Sequence, residues 1–309
     1  MKRKMLNVPK GGYDGMKGFT IVEFLVAGLL SIIVLIAVVS SYFTSRKLND
    51  AANERLAEQQ DLRNAATLIV RDARMAGSFG CFNMSEHIKD VVVSDVPQKN
   101  YLFSLKKSNA NKLIPIAESL NIGYQNFFQV SSALIFQYGI DDVNASDATT
   151  VVSSCAAISK PGKQIPTLED AKKELKIVSQ DKEQGNIARQ RHVVNAYAVG
   201  KIAGEGGLFR FQLDDKGKWG NPQLLVKKVK RMKVRYIYVS GCPEDEDVGK
   251  EEQFKYTDKF DGSVTPAGVE VLLDSGSDAK IAASSDNIIY AYRINATIRG
   301  GNVCANRTL

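Results

Sequence analysis

Histidine is nearly missing from this 309-residue chain, which has only His87 and His192. That leaves a histidine-centred catalytic triad, or a multi-histidine metal site, with almost nothing to build on. Cysteine is also sparse: Cys81, Cys155, Cys242 and Cys304 lie far apart, without the close pairs that zinc sites use. No glycine-rich stretch has the spacing of a phosphate cradle, and GEGGLF at 204–209 reads as a turn. DDVNASD at 141–147 sets Asp142, Asn144 and Ser146 at alternating positions. It lacks the glycine at the sixth position of a calcium loop and has Ser153 where such a loop ends in glutamate, so it reads as an Asx turn. With no constellation for chemistry, neither a cofactor nor a metal is expected, and the chain is not read as an enzyme.

Charge is missing altogether from Phe24 to Ser45. At 1.5 Å per residue a helix over this run covers roughly 33 Å, enough to cross the hydrocarbon core of a bilayer. Before it stand Lys2, Arg3, Lys4, Lys10 and Lys17 against a single acid, Asp14. This head holds about four of the chain's seven net positive charges, so the basic bias belongs to membrane topology and nucleic acid gains little support as a partner. After Val39 the sequence SSYFTSRKLND offers no small-x-small cleavage site, so the apolar helix is expected to stay on the mature protein. One acid, Glu23, sits at the head of the run. A carboxylate in a membrane helix costs several kcal/mol unless something pairs with it. Cleavage between Gly18 and Phe19 would create an ammonium four residues from Glu23, on the same helix face and at the positive end of the helix dipole.

The stretch GFTIVEFLVAGLLSIIVL resembles the class III signal and N-terminal helix of type IV prepilins. The resemblance implies that a prepilin peptidase cuts after Gly18 and N-methylates Phe19, that residues 1–18 are the leader, and that Glu23 sets the register of each incoming subunit. It departs from many major pilins at Ser40, about where they carry a proline, so this helix is expected to remain continuous. Beyond Arg46, Leu48, Ala52, Leu56, Gln59, Leu62, Ala66, Ile69, Ala73 and Ala76 recur at spacings of three and four. One helix over 19–76 follows, transmembrane to about residue 45 and amphipathic after it. RDARMAGSFGCFN at 71–83 ends it at Gly77 and Gly80 and resembles the corresponding stretch of PilW-type minor pilins, called PilJ in some species.

Residues 77–309 read as a β-rich head. KRMKVRYIYVSG (230–241) and DNIIYAYRINATIRG (286–300) alternate as strands do, and GGLFRFQLDDKGKWGNPQLLV reads as a hairpin turning near Asp214 to Gly220. PTLEDAKKELKIVSQDK (166–182) suggests a short surface helix, Lys99 to Asn111 a loop, and much of 85–200 elaboration around the sheet. The fold class expected is α+β, a long helix packed on an antiparallel sheet, pilin-like by resemblance. Four cysteines after an export segment suit disulfides in an oxidising compartment such as the bacterial periplasm. Three pairings are open, with the sequential one, Cys81–Cys155 and Cys242–Cys304, preferred. The family resemblance implies a non-enzymatic minor pilin that primes type IV pilus assembly. Its partners would be the prepilin peptidase, other minor pilins, the major pilin and the inner-membrane assembly platform, and its location the inner membrane with a periplasmic head, then the pilus. Two alternatives stand beside it: a minor pseudopilin of type II secretion, and a tip subunit binding DNA or a host surface through a basic stripe of Arg231, Lys233 and Arg235.

Overall fold

The computed structural model describes residues 18–86, 92–93, 113–162, 164–177, 186–240, 253–262, 264–274, 282–283, 289–290 and 292–298. It divides into two units, one ending at Ala57 and the other beginning at Glu58; helix α1 (Ile21–Met75) contributes to both.

In the first unit every described side chain is exposed, and α1 is long and apolar enough there to cross a membrane. No glycine after Gly28 and no proline interrupts it before Gly77. Two of its hydroxyls bond back to their own helix. Ser31 Oγ donates to the Ala27 carbonyl at 2.7 Å and Thr44 Oγ1 to that of Ser40 at 2.9 Å, so neither needs a partner from water.

In the second unit α1 becomes a core element. Leu62, Ala65, Ile69, Ala73 and Ala76 are buried, whereas Leu48 and Leu56, on the expected stripe, are 66% and 64% exposed. An apolar stripe is a capacity to pack, and it is realised only where the head supplies a surface. The helix stops as its glycines suggest: Gly77 takes φ +81°, and its N–H donates to the Gln137 carbonyl at 2.8 Å.

A small hairpin follows, β1 (Ser78–Phe79) with β2 (Phe82–Asn83). A nine-stranded sheet takes in β3 (Val92–Val93), β4 (Ile116–Ser119), β5 (Phe127–Gln129), β6 (Ala133–Ile140), β7 (Thr150–Ser153) and β8 (Ile158–Ser159), then β9 (Ala188–Ile202), β10 (Glu205–Leu213) and β11 (Trp219–Lys227). Between β8 and β9, helix α2 (Leu168–Glu174) is capped by Thr167, whose hydroxyl accepts from the Asp170 N–H at 3.1 Å. Four-stranded pairing joins β12 (Arg231–Ser240), β13 (Gln253–Thr257), β14 (Gly268–Asp274) and β17 (Tyr292–Thr297) in the order β13-β12-β14-β17, while β15 (Ala282–Ala283) pairs with β16 (Ile289–Tyr290). All these ladders are antiparallel except β3 with β8.

The expected hairpin is β10–β11, the expected strand at 230–241 is β12, and the short helix is α2. The segment taken as elaboration, 85–200, in fact supplies most of the larger sheet, including all but the last two residues of its central strand, β9. Along one edge β9 pairs with β6, and along the other with β10 and then β7. Ala203 and Gly204, both at positive φ, form the two-residue turn from β9 into β10; of the stretch 204–209 expected to turn only Gly204 does so, and Glu205 to Phe209 begin β10. One face of this sheet gives Phe136, Tyr197 and Val199 to a core shared with α1 and with Val234, Tyr236, Val269 and Val271 of the smaller sheet. The other face gives Ile135, Ala196, Ala198 and Phe211 to a second core.

Candidate functional site

Two places in this fold concentrate polar chemistry against an apolar background: the start of α1 and its last turns. Gly18 and Phe19 precede the helix, and Phe19 is 84% exposed. Thr20 caps α1. Its N–H and hydroxyl both reach Glu23 Oε2 at 2.9 Å, and the Glu23 N–H reaches back to Thr20 Oγ1 at 3.3 Å. This is a reciprocal capping box, and it gives Glu23 a partner within its own chain. The partner expected from the sequence is instead a new ammonium at Phe19. The T-x-x-E spacing of TIVE was the signal for the cap, and it was missed.

The last turns of α1 hold a carboxylate, Asp72, that local pattern does not mark out. Asp72 is fully buried on the helix face that packs into the head, in step with Leu62, Ala65, Ile69 and Ala76. Its Oδ1 accepts from the Tyr138 hydroxyl at 2.9 Å and from Arg71 Nε and Nη2 at 3.2 and 3.1 Å. Its Oδ2 accepts from Tyr197 Oη at 2.7 Å and Asn195 Nδ2 at 2.8 Å, with Arg210 Nε at 3.6 Å. Tyr138 stands on β6, Asn195 and Tyr197 on β9, and Arg210 on β10, so one carboxylate ties the helix to three adjacent strands. Burial, followed by the charge of Asp72, pushes the Tyr138 hydroxyl up to about 12 and that of Tyr197 higher still, so both remain protonated donors. An acid on an otherwise apolar stripe was the available signal. Its partners on β6 and β9 lie 66 to 125 residues away and could not be read from local pattern.

Nearby, His192 is buried, with its Nε2 3.1 Å from Gln137 Oε1, and burial pushes its imidazole down to about 3. It is neutral at physiological pH and hydrogen-bonded, a structural histidine. His87 lies outside the described residues. Cys81 is disulfide-bonded to Cys155, which ties the turn after β1 to the loop between β7 and β8. Cys242 and Cys304, like Lys99 to Asn111, lie outside the described residues.

The stripe of Arg231, Lys233 and Arg235 is on β12 as expected, but the fold brings acids to it. Lys233 Nζ is 3.0 Å from Asp258, and Arg235 contacts both Asp258 at 3.6 Å and the buried Glu270 at 3.0 Å. Glu270 is shared with Arg293, and Arg231 is exposed. A polyanion approaching this face would compete with two carboxylates already in place. At 141–147, the Asn144 N–H donates to Asp142 Oδ1 at 2.9 Å, an Asx turn. Among the described residues no group of three or more His, Cys, Asp or Glu side chains has the arrangement to hold a metal ion.

No family model, curated protein or solved structure matches the chain.

Proposed function

We propose that this chain is a minor pilin of the PilW type, a structural subunit that primes type IV pilus assembly and performs no catalysis. The observation that carries the reading is the division of labour along α1. Its first half exposes apolar side chains on every side and holds a single acid, Glu23, at its head; its last turns are built into the core of a disulfide-bonded α+β head. A helix with no packing partner among the described residues of its own chain needs lipid or other helices around it, and a subunit that moves from membrane to filament meets both. The leader before Gly18 would be removed by a prepilin peptidase, Phe19 N-methylated, and the head held on the periplasmic side of the inner membrane until incorporation. Other minor pilins, the major pilin and the assembly platform would be its partners, and motility, adhesion and DNA uptake would depend on it indirectly.

A minor pseudopilin of type II secretion shares the same helix logic; loss of surface pili with intact secretion on deletion separates the two. A tip subunit binding DNA or a host surface through Arg231, Lys233 and Arg235 has less in its favour, since Asp258 and Glu270 occupy that stripe. The test is a count of surface pili after deletion of the gene, repeated in a strain whose retraction motor is disabled. Pili lost in the first strain and restored in the second are expected of a priming subunit. Normal piliation in both would end the assembly reading. In the same assay Glu23→Ala should reduce piliation, and neutralising the three basic residues should leave pilus number unchanged.

A further inference from the structure

We propose that a cleft beside the Asp72 cluster is a binding site for a single carboxylate group, held by the guanidinium groups of Arg71, Arg191 and Arg210. The site goes beyond the assembly reading and stands whether or not the chain is a pilin. The cleft has a volume of about 340 Å³. It opens where one edge of β9 changes partner: β10 pairs with residues 195–202 and β7 with residues 188–191, the His192 N–H donates to the Thr149 carbonyl at 2.7 Å, and 193–194 are left between them. The three arginines line it, with Met75, Ile140 and Leu213 as apolar wall, and no aspartate or glutamate is among the described lining residues.

Charge calls for an anion there. Arg71, Arg191 and Arg210 bring three positive charges, while Asp72 and the Asp142 carboxylate, 3.4 Å from Arg191, bring two negative ones. His192 adds none, being neutral. The single charge left over matches a carboxylate better than a dianionic phosphate. Arg210 is only 8% exposed, and its buried Nε has no hydrogen-bond partner. Asp72 does not supply one: Oδ2 already accepts from Tyr197 and Asn195, and Arg210 is left at 3.6 Å. That Nε is enclosed against the Asp72 carboxylate, so a carboxylate in the cleft would be drawn by the charge of the Arg210 guanidinium and not bonded by Nε itself. Arg71 engages Asp72 through Nε and Nη2, which leaves Nη1 outside that contact, and its side chain is 54% exposed. The cavity is at the small end of ligand sites, suited to a short acid or one acidic side chain whose methylenes rest on the apolar wall.

The carboxylate has two possible sources, a free organic acid or an acidic side chain of another protein. Calorimetric titration of the full chain in detergent distinguishes them. The probes are sodium acetate, the capped tripeptide Gly-Glu-Gly, its Gly-Gln-Gly counterpart and sodium phosphate. The glutamate peptide should bind saturably and about tenfold or more tighter than the glutamine peptide, as expected for loss of a charge-assisted contact. Arg191→Gln, at a half-exposed position, should weaken it by a similar factor. Acetate binding as tightly as the peptide supports the site with a free acid as its ligand. A peptide about tenfold tighter than acetate supports a protein-borne side chain. Equal binding of the two peptides, unchanged affinity in Arg191→Gln, absence of saturable binding by any carboxylate, or tighter binding of phosphate would overturn the proposal.

Discussion

Asp72→Asn is the sharpest test of how the head holds together, because it changes one atom at the centre of the polar cluster. Five hydrogen bonds converge on the carboxylate, all from donors on Arg71, Tyr138, Asn195 and Tyr197. An asparagine keeps one oxygen and turns the other into a donor that faces donors. The tyrosine hydroxyls can rotate to accept, and Arg71 can swing toward water from its half-exposed position, but Arg210 has no such escape at 8% exposure. Removing one partner of a buried charge pair costs about 3–5 kcal/mol, a large share of the ~5–15 kcal/mol that holds a domain folded. Urea unfolding of the detergent-solubilised chain, followed by fluorescence of its one tryptophan, Trp219 on β11, reads the loss as a lower midpoint at unchanged slope. The cluster also predicts coupling. Asp72→Leu combined with Arg210→Met removes both charges and should cost less than the two single substitutions together. A shift below about 0.5 kcal/mol for Asp72→Asn, within the range of ordinary surface changes, or strict additivity in the double variant, would refute the reasoning.

Replacing both Cys81 and Cys155 with serine should destabilise the head by about 2–5 kcal/mol, in line with closure of a loop of 74 residues; an unchanged thermal midpoint would show that the bond contributes nothing. Stability should also fall in acid through His192. Its folded value near 3 lies below the ordinary histidine value of 6.5, so the unfolded chain binds the extra proton between those limits, and the contribution, complete above 6.5, is lost as pH drops toward 3. His192→Gln should therefore gain on the wild type by about 1.4 kcal/mol per pH unit below 6.5, measured by urea unfolding across that window; parallel pH curves would contradict it.

Local pattern carried the elements that need only local information. Helix α1 was legible because nothing breaks it between Gly28 and Gly77, and its end because Gly77 alone there can take a positive φ cheaply. The β10–β11 turn and β12 were legible from turn residues and alternation. Strands β6 and β9 were not: both of their faces are covered, so ALIFQYGI and VVNAYAVG show no in-and-out rhythm. The charged groups failed for a related reason. Alternation placed Lys233 and Arg235 on one side of β12, but Glu270 reaches Arg235 only through the register that sets those two residues opposite each other. Asp72 likewise meets Tyr138, Asn195 and Tyr197 only once α1 lies across β6 and β9.

The central claim is that α1 is the processed helix of a pilin-type subunit, with Glu23 near a new N-terminus. Mass spectrometry of the N-terminal peptide from the chain recovered from its native cells tests this most directly. The account predicts a first residue of N-methylated Phe19, with residues 1–18 removed and the apolar helix retained. A chain that still begins at Met1, or one cut beyond the apolar run, would contradict it.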